Sequence, residues 1–89
     1  MSFTQTPKSP DARFSIQRER TDSHDHFYVA DYEWTVTDRR TGAIIAILQE
    51  TMEASVYIGA RDVRFSPDGN ELIIENHDGT IERRALPAD

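Results

Sequence analysis

The chain of 89 residues contains no cysteine. This absence excludes a disulfide framework and a zinc site with thiolate ligands. No apolar run approaches the roughly 18 residues that a membrane-spanning helix needs. The first residues also lack the basic segment followed by an apolar run that is typical of a secretory signal. We therefore expect a cytoplasmic protein that does not bind membranes.

Positive charge is also scarce. The chain has 10 Lys and Arg residues and 16 Asp and Glu residues, which gives a net charge of −6. A nucleic-acid-binding surface needs clustered cations to neutralise phosphates, and the longest basic runs are the pairs Arg39-Arg40 and Arg83-Arg84. The glycines fall in hairpin contexts rather than in a phosphate-binding loop, and no glycine-flanked nucleophile is present. We expect no nucleic-acid partner, no cofactor and no enzymatic activity.

The clearest structural signal lies in residues 62–86, which predict three strands joined by two tight turns. Pro67 presets the φ angle that a type I turn needs, so residues 66–69 are predicted to form a four-residue loop. Asp78-Gly79 fits a two-residue type I′ loop. The segment is therefore predicted to form two consecutive β-hairpins.

These loop lengths predict the register of both hairpins. Phe65 would pair with Asn70, and Leu72 would pair with Ala85. Successive side chains of a strand point to opposite faces of the sheet, so this register predicts a charged face and an apolar face. The apolar face would be formed by Val63, Phe65, Leu72, Ile74, Ile81 and Ala85.

The upstream part of the chain predicts three more strands. Apolar and polar residues alternate over residues 12–18 and, more extensively, over residues 27–37. Residues 43–48 are apolar on both faces, which is typical of a central strand or of an interface. A four-residue loop at 39–42 would pair Val36 with Ile45 and Trp34 with Ile47, apolar against apolar.

Residues 50–60 are ambiguous. Met52, Val56 and Tyr57 could line one side of a short helix, or the same residues could continue the strand. We favour a short helix near residues 50–57 or an irregular linker. The predicted fold class is all-β, an antiparallel meander of about six strands that forms a small half-barrel, a sandwich or a blade-like sheet. A single domain at residues 12–87 would follow a flexible arm at 1–11.

The turn sequences give the chain a resemblance to a known repeat family. Trp34-Thr-Val-Thr-Asp38-x-x-Thr41-Gly42-x-Ile44 is similar to the end of one blade of a WD-repeat β-propeller. Val63-Arg-Phe65-Ser-Pro-Asp-Gly69, followed by Asp78-Gly79-Thr80-Ile81, resembles the start of the next blade. The resemblance covers residues 34–86 and implies a blade-like sheet.

A complete propeller needs about four blades or more, whereas this chain is long enough for roughly two at most. The sheet would therefore curl on itself, or several copies would assemble. We favour a homodimer over a ring, because two-fold dimers are by far the commonest oligomers.

The leading functional prediction is a non-catalytic protein-interaction module, whose partner is a second copy of itself or another protein. Tyr28, Tyr32 and Trp34 share one face of their predicted strand, and Ile45 and Ile47 lie on the strand that follows. Aromatic side chains of this kind often dominate the binding energy of an interface. These five residues are the predicted interaction surface, and the alternative is that the aromatic residues form the core.

A metal-binding or small-ligand-binding protein is the alternative function. His24 and His26 would point the same way on an extended segment, and His77 could complete a set of ligands. Histidines in a polar loop are more often simply solvated, so this hypothesis ranks second.

Overall fold

The computed structural model describes residues 13–21 and 29–88, which form one antiparallel sheet with its strands in chain order. This arrangement confirms the predicted all-β meander. The described residues contain no helix, and so none that could cross a membrane. The predicted arm at residues 1–11 lies outside the described residues. The six strands are β1 (Phe14–Arg20), β2 (Val29–Asp38), β3 (Ile44–Glu53), β4 (Val56–Phe65), β5 (Glu71–Asn76) and β6 (Ile81–Ala85).

The short helix predicted near residues 50–57 is wrong. The segment holds the end of β3, a two-residue turn and the start of β4. Ala54 opens this turn with a φ of 52°, a left-handed conformation for which glycine is the usual choice. The sequence therefore gives no turn signal here. Met52 and Tyr57, interpreted as one side of a helix, are cross-strand partners instead.

β4 belongs to two halves of the sheet. Residues 56–59 pair with β3, and residues 60–65 pair with β5 after a register shift between Ala60 and Asp62. Such irregularities bend a strand and increase its twist. The sheet therefore folds over on itself without closing into a barrel. β1–β3 and the start of β4 form one half, and the rest of β4 with β5 and β6 forms the other.

The two halves share one hydrophobic core. The rings of Phe14 in β1 and Phe65 in β4 lie 6.4 Å apart between centroids. Each large aliphatic side chain that is fully buried contributes roughly 1.5–3 kcal/mol, so this shared core holds the folded sheet together. Its buried members are Ile16, Trp34 and Val36 from the first half and Ala60, Val63, Leu72 and Ile74 from the second.

The halves remain connected where β4 leaves β3, and this point requires glycine. Gly59 has a φ of 91°, and a Cβ atom built on it would lie 2.1 Å from the carbonyl oxygen of Gln49. A side chain here would collide with the backbone of β3 as well as favour a different φ. Gly59 therefore permits the close approach from which β4 turns towards β5.

The predicted four-residue loop at 39–42 is confirmed by backbone hydrogen bonds across its base. The strands then shift by one residue at a β-bulge, in which Ile45 is the extra residue. The predicted pairs of Val36 with Ile45 and of Trp34 with Ile47 are therefore wrong. Because side chains alternate between faces, the bulge moves Ile47 to the face opposite Trp34.

The register of the β4–β5 hairpin differs from the prediction by two residues. Phe65 pairs with Leu72 rather than with Asn70. The reason is that Ser66 still belongs to the ladder, since its N–H donates to the carbonyl oxygen of Glu71 at 2.9 Å. A shift of two residues leaves every side chain on its predicted face.

The register of the β5–β6 hairpin differs by one residue, which has a larger consequence. The N–H of Asn76 donates to the carbonyl oxygen of Thr80 at 2.9 Å, so the loop has three residues rather than two. Gly79, with a φ of 90°, fits the bulge position of such a loop. The prediction that Ile81 and Ala85 lie on the apolar face is therefore wrong, and they lie on the face with Glu71 and Glu75.

Candidate functional site

The residues predicted as an interaction surface do not form one surface. Trp34 is only 7% exposed and belongs to the core. Tyr32 and Ile45 are half-buried, whereas Ile47 is 51% exposed on the opposite face from Trp34. Tyr28 lies outside the described residues. Of the four described members of this set, Ile47 is the one with a largely exposed side chain.

The aromatic part of the predicted surface is covered by Arg18. Its guanidinium carbon lies 3.7 Å from the ring centroid of Tyr32 and 5.4 Å from that of Trp34. A guanidinium at these distances makes a favourable cation–π interaction. A protein that docked on this face would therefore contact Arg18 before it reached the aromatic rings.

Arg18 also belongs to a buried polar network centred on Glu50, a residue that the sequence analysis did not single out. Glu50 is 2% exposed, and its Oε1 accepts hydrogen bonds from Arg18 Nη2 at 2.7 Å and from Trp34 Nε1 at 3.3 Å. Its Oε2 lies 2.5 Å from Nε2 of His77. A buried carboxylate is very costly unless such partners surround it. Glu50 therefore anchors β1, β2 and the β5–β6 loop to β3.

His77 is the one member of the predicted metal site that the structure describes. Its Nε2 faces Glu50, and its ring stacks on Tyr57 with centroids 5.5 Å apart. His24 and His26 lie outside the described residues. Within residues 13–21 and 29–88, no group of three His, Cys, Asp or Glu side chains could hold a metal ion. The metal hypothesis stays a prediction. In the structure, the partner of the His77 ring is the carboxylate of Glu50.

A groove of about 290 Å³ lies beside His77, between β4 and the β5–β6 loop, and is lined by Tyr57, Ile58, Gly59, Asn76 and Asp78. Asp78 is the charged group in it. Its Oδ1 accepts hydrogen bonds from the hydroxyl and the backbone N–H of Thr80, and these bonds, the hydroxyl first, lower the pKa of Asp78. Asp78 therefore stabilises its own turn, and the groove offers no pair of carboxylates for acid–base chemistry.

The larger unpartnered feature is an apolar surface on the outer face of β3 and β4. We call it the β3–β4 apolar surface; in the pairing of the strands, its residues alternate with those that face the core. Exposed fractions above one half are unusual for aliphatic side chains that share one face. Its members are Ile44 at 58%, Ile47 at 51%, Val56 at 55% and Ile58 at 62% exposure.

Only part of this surface is predictable from the sequence. Ile47 was among the predicted residues, but Val56 and Ile58 were missed because the helix expected near residues 50–57 concealed the start of β4. The two β-branched residues separated by Tyr57 were an available signal, since this alternation is typical of a strand.

The same strand has an open edge. β3 pairs with β4 only through residues 50–53, and among the described residues the segment 44–49 pairs with β2 alone. A groove of about 130 Å³ lies beside this edge, lined by Ile45, Ala46, Leu72 and residues 84–87. Across this groove, Ile45 and Ala46 face the end of β6 and residues 86–87, with no strand pairing described between them.

No family model, curated protein or solved structure matches the chain, so a functional proposal must be argued from this geometry.

Proposed function

We propose that the chain is a non-catalytic protein-interaction module that self-associates through the β3–β4 apolar surface. The observation that carries the proposal is the exposure of Ile44, Ile47, Val56 and Ile58 on one face, each by more than half. Several exposed aliphatic side chains on one face favour an interaction site, because their burial against a partner removes them from water.

The short chain supports the same proposal. A domain of this size buries only about 60–65% of the surface that its unfolded chain exposes, so burial of a further apolar face would add stability that the monomer lacks. A homodimer is the assembly that we favour, since the same patch on two copies is self-complementary under two-fold symmetry.

The experiment compares the solution mass of the wild-type protein with that of two lysine variants, by size exclusion with light scattering over a range of concentrations. Ile58→Lys places a charge in the β3–β4 apolar surface. Ile81→Lys is the matched control, because Ile81 is 57% exposed against 62% for Ile58 but lies on β6. Both substitutions fall on exposed positions and should leave the fold intact.

We expect the wild-type protein and Ile81→Lys to form a dimer and Ile58→Lys to remain a monomer. A wild-type protein that is monomeric at every concentration would contradict the proposal. So would an Ile58→Lys variant that assembles as the wild type does.

A further inference from the structure

We infer that the groove between β4 and the β5–β6 loop binds the side chain of an arginine presented by another protein. The guanidinium would lie on the ring of Tyr57 and pair with the carboxylate of Asp78, both of which line the groove. Ile58 also belongs to the β3–β4 apolar surface, whereas Tyr57 and Asp78 do not. The inference therefore goes beyond the proposed self-association and does not depend on it.

The first argument is the aromatic ring in the lining. Tyr57 is 53% exposed, and its ring stacks on the ring of His77 with centroids 5.5 Å apart. His77 is itself held by the carboxylate of Glu50, 2.5 Å from its Nε2, so the stack fixes the orientation of the Tyr57 ring. The face of an exposed aromatic ring attracts a cation. No lysine or arginine of the described residues lies over this ring.

The second argument is the one carboxylate in the lining. Asp78 accepts two hydrogen bonds through the same oxygen, Oδ1, from the hydroxyl of Thr80 at 2.6 Å and from its N–H at 2.9 Å. These bonds lower the pKa of Asp78, so the side chain is ionised at neutral pH. No other side chain of the described residues bonds to this carboxylate, and its Oδ2 is left to accept from a cation outside the chain.

The chain itself contains an arginine held by the same two kinds of group. The guanidinium carbon of Arg18 lies 3.7 Å from the ring centroid of Tyr32, and its Nη2 donates to Oε1 of Glu50 at 2.7 Å. A planar guanidinium suits this pair, because it stacks on an aromatic face while its N–H groups reach a carboxylate. Tyr57 and Asp78 offer the same combination in the groove, without an arginine among the described residues to complete it.

The other polar groups of the groove are suited to N–H donors. The His77 N–H donates to the carbonyl oxygen of Gly59 at 3.0 Å, so this carbonyl points from β4 towards the loop. Carbonyls of alternate residues in a strand point to the same side, which places the carbonyl of Tyr57 on the groove side as well. Asn76 donates through Nδ2 to the hydroxyl of Thr80 and keeps its side-chain oxygen as an acceptor. A guanidinium has five donors and no acceptor, so it matches such a lining.

The experiment is an NMR titration of the isotope-labelled protein with the peptide acetyl-Gly-Arg-Gly-amide. The control peptide carries citrulline in place of arginine, which keeps the planar shape of the side chain and removes its charge. We expect the arginine peptide to shift the resonances of residues 57–59 and 76–78, and the citrulline peptide to bind at least ~5-fold more weakly. An arginine peptide that shifts none of these resonances would overturn the inference.

A matched pair of aspartate variants tests the carboxylate. Asp78→Asn removes the charge, while its amide oxygen can still accept both bonds from Thr80. Asp68→Asn is the control, because Asp68 is also exposed and its Oδ1 also caps a turn, with bonds from Ser66 Oγ and the Asn70 N–H, but it lies on the β4–β5 loop. We expect Asp78→Asn to weaken binding of the arginine peptide about 3–5-fold and Asp68→Asn to leave it unchanged. Equal losses would indicate a general attraction of cations to an acidic protein and would overturn the inference.

Tyr57→Leu tests the ring, because leucine keeps an apolar side chain in the groove without the aromatic face. We expect this variant to bind the arginine peptide about 2–5-fold more weakly. Its resonances outside the groove should match those of the wild type, which shows that the fold is intact. A folded Tyr57→Leu variant with wild-type affinity would contradict the proposed site.

This inference and the proposed self-association fail separately. A monomer that binds the arginine peptide in the groove would refute the self-association and retain the arginine site. A dimer that Ile58→Lys dissociates, but whose groove does not respond to the peptide, would retain the self-association and refute the arginine site.

Discussion

The two halves of β3 differ in their strand pairing and in which side chains they bury. Residues 50–53 are paired on both sides, with β2 and with β4, and they include the buried Glu50. Among the described residues, 44–49 are paired on one side only, and they include Ile44 and Ile47, which are more than half exposed. The carboxylate of Glu50 is thus buried while Ile44 and Ile47 are exposed, the reverse of the usual distribution for these residue types.

This reversal separates two roles within a single strand. The enclosed half contributes to the fold of one chain, because Glu50 gathers hydrogen bonds from three other elements. The open half contributes Ile45, Ala46 and Leu48 to the edge of the core, whereas the outward side chains of Ile44 and Ile47 are exposed. Substitutions in the two halves should therefore affect different measurements.

The largest expected effect is on the enclosed half. Glu50→Ala would leave the buried Nε1 of Trp34 and the part-buried ring of His77 without their acceptor, so the free energy of unfolding should fall by about 3–5 kcal/mol. Chemical denaturation of the monomer measures this loss. Glu53→Ala is the matched control, because Glu53 ends the same strand and is exposed; its effect should stay within about 0.5 kcal/mol. Equal losses in the two variants would show that the network around Glu50 does not anchor the fold.

The next effect concerns the point where β4 leaves the enclosed half. Gly59→Ala introduces both an unfavourable φ and a collision with the backbone of Gln49, so we expect a loss of about 2–5 kcal/mol. Gly42→Ala is the control: Gly42 has a φ of 79°, but a Cβ atom there would meet nothing within 4 Å. Only the cost of the left-handed conformation, about 1–2 kcal/mol, should then appear. If both variants lose the same stability, the close approach of β4 to β3 is absent in solution.

The sequence predicts the correct face for a strand wherever the error in its register is an even number of residues. Because side chains alternate with a period of two, the two-residue error at Phe65 left the apolar face intact. The one-residue errors moved side chains across the sheet, and they arose at bulges involving Ile45 and Gly79. Whether a hairpin adopts such a bulge depends on how the sheet must bend over its core, which the local sequence does not encode.

The candidate surface was predictable in part for a similar reason. Residues 43–48 are apolar at every position, so their exposure or burial depended on whether β4 would cover them. β4 bends away after Gly59, and this bend was concealed because Ala54, rather than a glycine, forms the preceding turn. Glu50 was not predicted because it lies in the segment interpreted as a helix or linker, and because a glutamate usually faces water.

The smallest expected effect arises at the hairpin that opens the exposed half of β3. The carboxylate of Asp38 accepts a hydrogen bond from Arg13 Nη2 at 3.0 Å and one from the Arg40 N–H at 3.0 Å. These contacts, Arg13 first, hold the pKa of Asp38 below its ordinary value of 3.8. As the pH falls, the unfolded chain therefore binds this proton before the folded protein does. The stability that Asp38 contributes is complete above the unfolded value and is lost as the pH falls through the folded pKa.

Asp38→Asn tests this contribution, because the amide keeps the shape of the side chain without its titration. We expect the variant to be less stable than the wild type at neutral pH and to lose less stability in acid, so that the two curves converge as the pH falls through the folded pKa. Urea denaturation over a series of pH values measures both curves. Parallel curves would assign the acid sensitivity to other carboxylates rather than to the Arg13–Asp38 ion pair.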